Sequence, residues 1–289
     1  MTMIRATPQA EIAAPLRKSL RSRFNAFNLP LMLGLLLMGV LVLTAVLGQM
    51  WTPFDPKATG VGVPFSAPDA VHWFGTDAVG ADIFSKTLAA TATDFGVTLI
   101  SVALAFVAGG LTGALTGFLG GAFDTVVMRL VEILQAFPPL LLAMLIVVTT
   151  GPGITNVVIV IMIVGIPGYL RLARAEVLSQ KNLEYADAAR MVGHSGAGVL
   201  FRHLVPNTLS PLISFAAINA AWVAIIISSL GFIGVGIEPG SPEWGSMIAA
   251  GRHDIESWWI SLFPGLAIII LACAFYLVGD GLTDKEHTP

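Results

Sequence analysis

Charge is what this sequence has least of. Asp, Glu, Lys and Arg make up 11% of its 289 residues, against roughly 25% in soluble domains. A water-soluble fold of this size could not cover its surface with so few charges, so the composition points to lipid as the solvent. Cysteine is nearly absent: the single residue, Cys273, lies in an apolar run, which excludes an intramolecular disulfide. Basic tracts are missing and the net charge is −3, so nothing here invites nucleic acid. No Gly-rich loop ends in Gly-Lys-Ser/Thr, and the chain therefore lacks the means to cradle ATP phosphates. No His-Glu-x-x-His pair occurs, and His72, His194, His203, His253 and His287 are scattered without metal-ligand spacing. The expectation is no catalytic centre, no metal and no cofactor in this chain.

What it has instead is long apolar runs. Hydrophobic residues make up 55% of the chain, and the mean hydropathy is +0.82. Five stretches carry no Asp, Glu, Lys or Arg: 24–54, 95–123, 133–170, 203–237 and 257–279. A helix needs about 20 apolar residues to cross a bilayer. The third stretch is too long for one span and holds Gly151-Pro152-Gly153, a strong turn signal, so it divides there. The pattern predicts an all-α polytopic membrane protein with about six spans, near 29–51, 96–120, 126–149, 154–174, 209–235 and 258–280. Arg17, Lys18, Arg21 and Arg23 precede the first run, as basic residues do in a signal peptide. That run is longer than an h-region of about 7–15 residues, so it reads as a retained helix.

Cytoplasmic loops keep an excess of Lys and Arg. With the N-terminus inside, twelve basic residues fall on the cytoplasmic side and only Lys57, Lys86 and Arg252 outside. Residues 1–28 and 283–289 are then cytoplasmic tails flanking a transmembrane domain over 29–282. The segment 175–208 is a long polar cytoplasmic loop. Residues 52–95 and 236–257 face outward, with Trp258 and Trp259 beyond the second at headgroup depth.

Within the spans, Gly109, Gly113, Gly117 and Gly121 recur every fourth residue, a stripe that lets a neighbouring helix approach closely. Arg129 and Glu132 stand three apart on one helical face and read as a local ion pair. Asp94 and Asp280 fall at span edges and are expected to reach water. Nothing resembles the buried carboxylate relay of a proton-coupled carrier.

The polar loop reads EYADAARMVGHSGAGVLFRHLVPN over 184–207. Its Asp187-Ala188-Ala189, Gly193 and Pro206 resemble the EAA loop of ATP-binding-cassette importer permeases in spacing. Asp187 stands for the usual Glu, Val205 for Leu, and His203 where Ile is common. HWFGTDAVGADIFSK (72–86), EILQAFPPLLLA (132–143), PEWGSMIAAGR (242–252) and LFPGLAIIILACAFYLVGDGL (262–282) are similar to the "C" permease of the dipeptide/oligopeptide/nickel branch. Ala81 departs from it, since that position often holds Arg. The likeness runs in order over about 28–284.

This resemblance implies a type I importer permease in the bacterial inner membrane. Its implied partners are a second homologous permease, two ATPase subunits that hold ATP and Mg, and an extracytoplasmic solute-binding protein. Glu184, Asp187, Ala188, Ala189, Gly193 and Pro206 would form the ATPase-coupling loop. Gly193 would allow a sharp turn between two short helices, and Ala188 and Ala189 would offer the ATPase a flat face. The implied cargo is dipeptides or oligopeptides, and the alternative is nickel or a metal chelate on the same architecture. An ATP-independent secondary carrier is a third reading, disfavoured because such a carrier has no motor for the loop to dock. The residues that touch solute stay unassigned.

Overall fold

The computed structural model describes residues 28–238, 240–252 and 254–286, except for the side chains of 284–286. The N-terminal tail, His253 and His287 lie outside the described residues. The described chain is built from helices. α1 spans Leu29–Met50, α2 Ile83–Leu119, α3 Gly121–Gln135, α4 Pro139–Thr150 and α5 Ile154–Gln180. Two short helices follow, α6 at Glu184–Met191 and α7 at Gly196–Val199. A π turn over Leu200–Leu204 then leads into α8 at Val205–Ile233. α9 at Trp244–Gly251 and α10 at Trp259–Glu286 complete the order.

Local chemistry sets the helix ends. Asn28 accepts the Leu31 N–H at the start of α1, with Pro30 in the first turn. Asp82 accepts the Ser85 N–H at 2.8 Å and opens α2, which stops at Gly120 with φ +65°. The Gly151-Pro152-Gly153 turn separates α4 from α5, with φ +90° at Gly151 and +142° at Gly153.

Among the described residues, five helices are long and apolar enough to cross a membrane, and the bent pair α3–α4 makes a sixth span if counted as one. Two expectations need correction here. The span predicted over 126–149 is not continuous: α3 and α4 meet at 88° around Ala136–Pro138. Pro138 and Pro139 both lack an amide hydrogen, and Pro139 holds Pro138 out of helical geometry at ψ 129°. The helix that carries the second span begins at Ile83 rather than near 96. At 37 residues it is about 55 Å long and runs past a hydrocarbon layer of about 30 Å. The charges that appeared to end the span, Lys86 and Asp94, are instead partnered inside the fold.

α2 is the axis of the molecule. It packs most extensively on α5 and also on α1 and α8, while α10 closes against α8 and α1. Val97, Ala105, Val157, Ile161, Val223, Ile227 and Leu271 fill the space between these helices. α1 is peripheral: of its 22 residues only Gly34, Leu41 and Gly48 are buried. Its outer leucines and valines, bare in the protein alone, suit a lipid environment.

One end of the bundle carries the folded segment 51–82. There His72 pairs with Asp82 at 2.9 Å and stacks on Phe54. Asp77 accepts the Val79 and Ala81 N–H groups and the Lys86 ammonium. The His72, Thr76 and Asp77 motif therefore organises backbone. Ala81 in its midst is fully buried.

Candidate functional site

The elbow at the opposite end holds the residues the sequence singles out. α6 is amphipathic. Ala186 and Ala189, three apart, turn inward against Val199, Leu200 and Leu204, and the same small cluster includes Ala114 and Val177. Glu184, Asp187, Ala188 and Arg190 face outward. Arg190 donates to Asp187 at 2.6 Å and to the Lys181 carbonyl at 2.8 Å, which ties α6 back to the end of α5. This corrects the expected flat face of Ala188 and Ala189: only Ala188 is exposed, because Ala189 anchors the helix. Pro206 is exposed in the first turn of α8, where its missing N–H costs nothing.

Gly193 sits at φ +92°, between α6 and α7, with open space where a Cβ would stand. Its N–H reaches the Arg190 carbonyl and the His194 N–H reaches Ala189, so the chain reverses at the end of α6. The reversal thrusts Met191 and Val192 outward, 87% and 82% exposed. Sequence reasoning missed these two. Their signal was two apolar residues directly before the glycine of a polar loop.

The elbow's root is fastened to the bundle. Arg174 on α5 forks onto Asp124 of α3 at 2.6 and 2.7 Å, and Lys181 donates to the Gly117 carbonyl of α2 at 3.0 Å. Gly109, Gly113 and Gly117 face α5. A Cβ at Gly109 would stand 2.7 Å from the Ile166 carbonyl oxygen. One at Gly113 would stand 2.9 Å from the Ala173 Cβ, and one at Gly117 2.8 Å from the Arg174 carbonyl. Gly121 does not continue this stripe, since α2 ends before it and it opens α3 at φ +60°. Arg129 and Glu132 pair at 2.8 Å on an exposed face of α3.

A second assembly lies near the far end of α2. Glu243 caps α9, accepting the Gly245 and Ser246 N–H groups at 2.6 and 2.7 Å. Trp244, fully buried, donates its indole N–H to the Thr87 carbonyl and its backbone N–H to Asp94 Oδ2. Asp94 and Glu243 are each 2% exposed, and their carboxyl groups lie within hydrogen-bonding reach of one another. Burial pushes the Glu243 carboxyl up, against the pull of its backbone donors. The expectation that Asp94 reaches water is therefore wrong, and two carboxyls are buried together where none was anticipated. Asp280 lies half-buried inside α10. Among the described residues no cluster of three or more His, Cys, Asp and Glu side chains could hold a metal ion.

Comparison with known proteins places this architecture. Residues 109–285 match the family of binding-protein-dependent transport system inner membrane components. The probable D,D-dipeptide transport system permease protein of Escherichia coli is 36% identical over 284 residues, 95% of each chain. The di/tripeptide transport system permease protein of Pseudomonas aeruginosa is 36% identical, over 87% of this chain and 85% of its own. The nickel transport system permease protein of Escherichia coli is 34% identical, over 87% and 91% respectively. A helical bundle with five to six spans, a family match over more than half its length and relatives covered nearly end to end lead to one conclusion: the chain belongs to the binding-protein-dependent transport system inner membrane components, as a C-type permease of the ATP-binding-cassette class.

Proposed function

We propose that this chain is one permease half of an importer that carries short peptides across the bacterial inner membrane, driven by ATP hydrolysis on separate subunits. The α6–α7 elbow carries the reading. A small, anchored helix with an exposed apolar tip, Met191 and Val192, has the form of a plug for a groove on a partner. Charged Glu184, Asp187 and Arg190 rim it. Because Ala186 and Ala189 fix α6 to the start of α8, and Lys181 fixes its root to α2, a pull on the tip moves helices rather than a slack loop.

The mechanism follows from two states. ATP-driven closure of two ATPase subunits would draw this elbow and that of a second, homologous permease together. The two bundles would then reorient, and a pathway between them would open alternately to each side. A solute-binding protein would deliver cargo at the end formed by 51–82 and α9. The excess of basic residues on the elbow side supports a cytoplasmic elbow and cytoplasmic termini. Peptide cargo is supported by relatives named for dipeptide and di/tripeptide transport. Nickel is the second reading, supported by the nickel permease relative.

The test replaces Met191 and Val192 with Asp in the chain co-expressed with its cognate partners. Membrane levels should stay normal, while co-purification of the ATPase and uptake of a radiolabelled dipeptide are lost. Full ATPase recruitment would refute the docking role. Energised uptake of radiolabelled nickel without dipeptide uptake would replace the cargo.

A further inference from the structure

Asp94 presents an accounting problem. Its Oδ2 accepts the Trp244 N–H at 3.2 Å, but Oδ1 is buried with no donor opposite it. The group within reach is Glu243, whose two oxygens already accept the Gly245 and Ser246 N–H groups. Buried polar atoms without partners are rare because each costs its full desolvation penalty. Two ionised carboxylates cannot sit together in such a place, whereas one carboxylic acid and one carboxylate form a strong O–H···O⁻ bond.

The groups facing the pair supply no counterion. α2 brings Asp94 and the Thr87 carbonyl. The α9 side brings Glu243, the buried Trp244 and the backbone N–H groups of Gly245 and Ser246. α8 brings Gly231, where a Cβ would overlap the Glu243 carboxylate, and Ser228, whose hydroxyl is spent on the Ala224 carbonyl. Among the described residues, what acts on the two carboxyls is burial, each other and the backbone and hydroxyl donors of the cap.

We propose that Asp94 and Glu243 hold a single proton between them, and that the resulting hydrogen bond latches the α9 cap onto α2. The two backbone N–H donors on Glu243 favour the carboxylate there, so the proton resides on Asp94 Oδ1 and is donated to Glu243. The latch ties a short helix, otherwise held by Trp244 and by contacts with α8 and α10, to the longest helix of the bundle. The cap helix borders the small cavity of about 190 Å³ lined by Asp77, Lys86, Ser246 and Met247. Its seating therefore shapes that end of the protein. The inference concerns the fold of this chain and stands whether its cargo is a peptide or a metal.

The experiment uses the full chain, purified with its partners in lipid nanodiscs. Infrared difference spectra at neutral pH should show a protonated-carboxyl C=O stretch in the wild type that Asp94→Asn removes. Its absence from the wild type, or its survival in the variant, overturns the shared proton. Cap seating is read separately, by the rate at which an impermeant thiol reagent labels Met247→Cys, a buried position on α9. Asp94→Asn keeps a donor toward Glu243 and should label as slowly as wild type. Asp94→Val leaves Glu243 buried without one and should label faster by on the order of tenfold or more. Equal rates in all three, or fast labelling in Asp94→Asn, overturn the latch. Should Asp94→Val fail to insert, Asp94→Ala takes its place in the same comparison.

Discussion

Replacing Gly113 with Ala measures how tightly α2 and α5 are packed. The new Cβ would stand 2.9 Å from both the Ala173 Cβ and the Leu170 carbonyl carbon, and would also meet the Leu170 carbonyl oxygen. Carbon atoms rest at about 3.5–4.0 Å, so the overlap approaches an ångström. The obstacles are helix backbone and a Cβ, and no rotamer change clears them. The helices must part along their most extensive contact. Such overpacking costs about 1–3 kcal/mol. Gly96, on the same helix, is the control, because a Cβ there meets nothing within 4 Å. Both changes gain the same helix propensity, about 0.5–1 kcal/mol, so their difference isolates the steric part. At about 2–4 °C per kcal/mol, Gly113→Ala should melt roughly 2–12 °C below Gly96→Ala. Tryptophan fluorescence during a thermal ramp of the purified chain reads this directly. A Gly113→Ala protein that melts at or above its Gly96→Ala counterpart would refute the close approach.

Other outcomes test the elbow and its root. Gly193→Phe should insert normally, since its surroundings are open, yet strain the reversal at φ +92° by about 1–3 kcal/mol. ATPase recruitment and uptake should both fall, and normal values for both would mean the elbow is not the transmission. A cysteine at Arg190 should react with an impermeant reagent only from the cytoplasmic side. Strong labelling from outside intact cells would invert the topology. Removing Arg174 and Asp124 singly and together should reveal coupling of about 0.5–3 kcal/mol, because the forked pair bridges two helices and is partly buried. Additive melting-temperature losses would show that the pair contributes nothing beyond its members.

Much of the elbow was legible because its signals are local. Gly193 precedes a change of helix direction that only a residue tolerant of positive φ makes without strain. Ala186, Met191 and Val192 escaped notice because a loop motif states spacing and leaves unsaid which face of α6 turns inward. That depends on the apolar side chains brought to it from α5 and the π turn. The break between α3 and α4 was written in Pro138 and Pro139, but a hydropathy window reads the apolar run and not the missing amides.

By itself the sequence determined the solvent, the helical class, the approximate number of spans and the asymmetry of basic residues. Each follows from composition or from runs of neighbours along the chain, and backbone groups in lipid leave few alternatives to a helix. Tertiary structure alone decided the fate of the charges. Lys86 and Asp94 look like the end of a span to any count of charged residues. Lys86 nevertheless meets Asp77, nine residues away, and Asp94 meets Trp244 and Glu243, about 150 residues away. An ionisable residue stays buried in a long apolar helix where the fold supplies it a partner. Whether Asp94 has one depends on how α9 folds back over α2, which no stretch of sequence near residue 94 records.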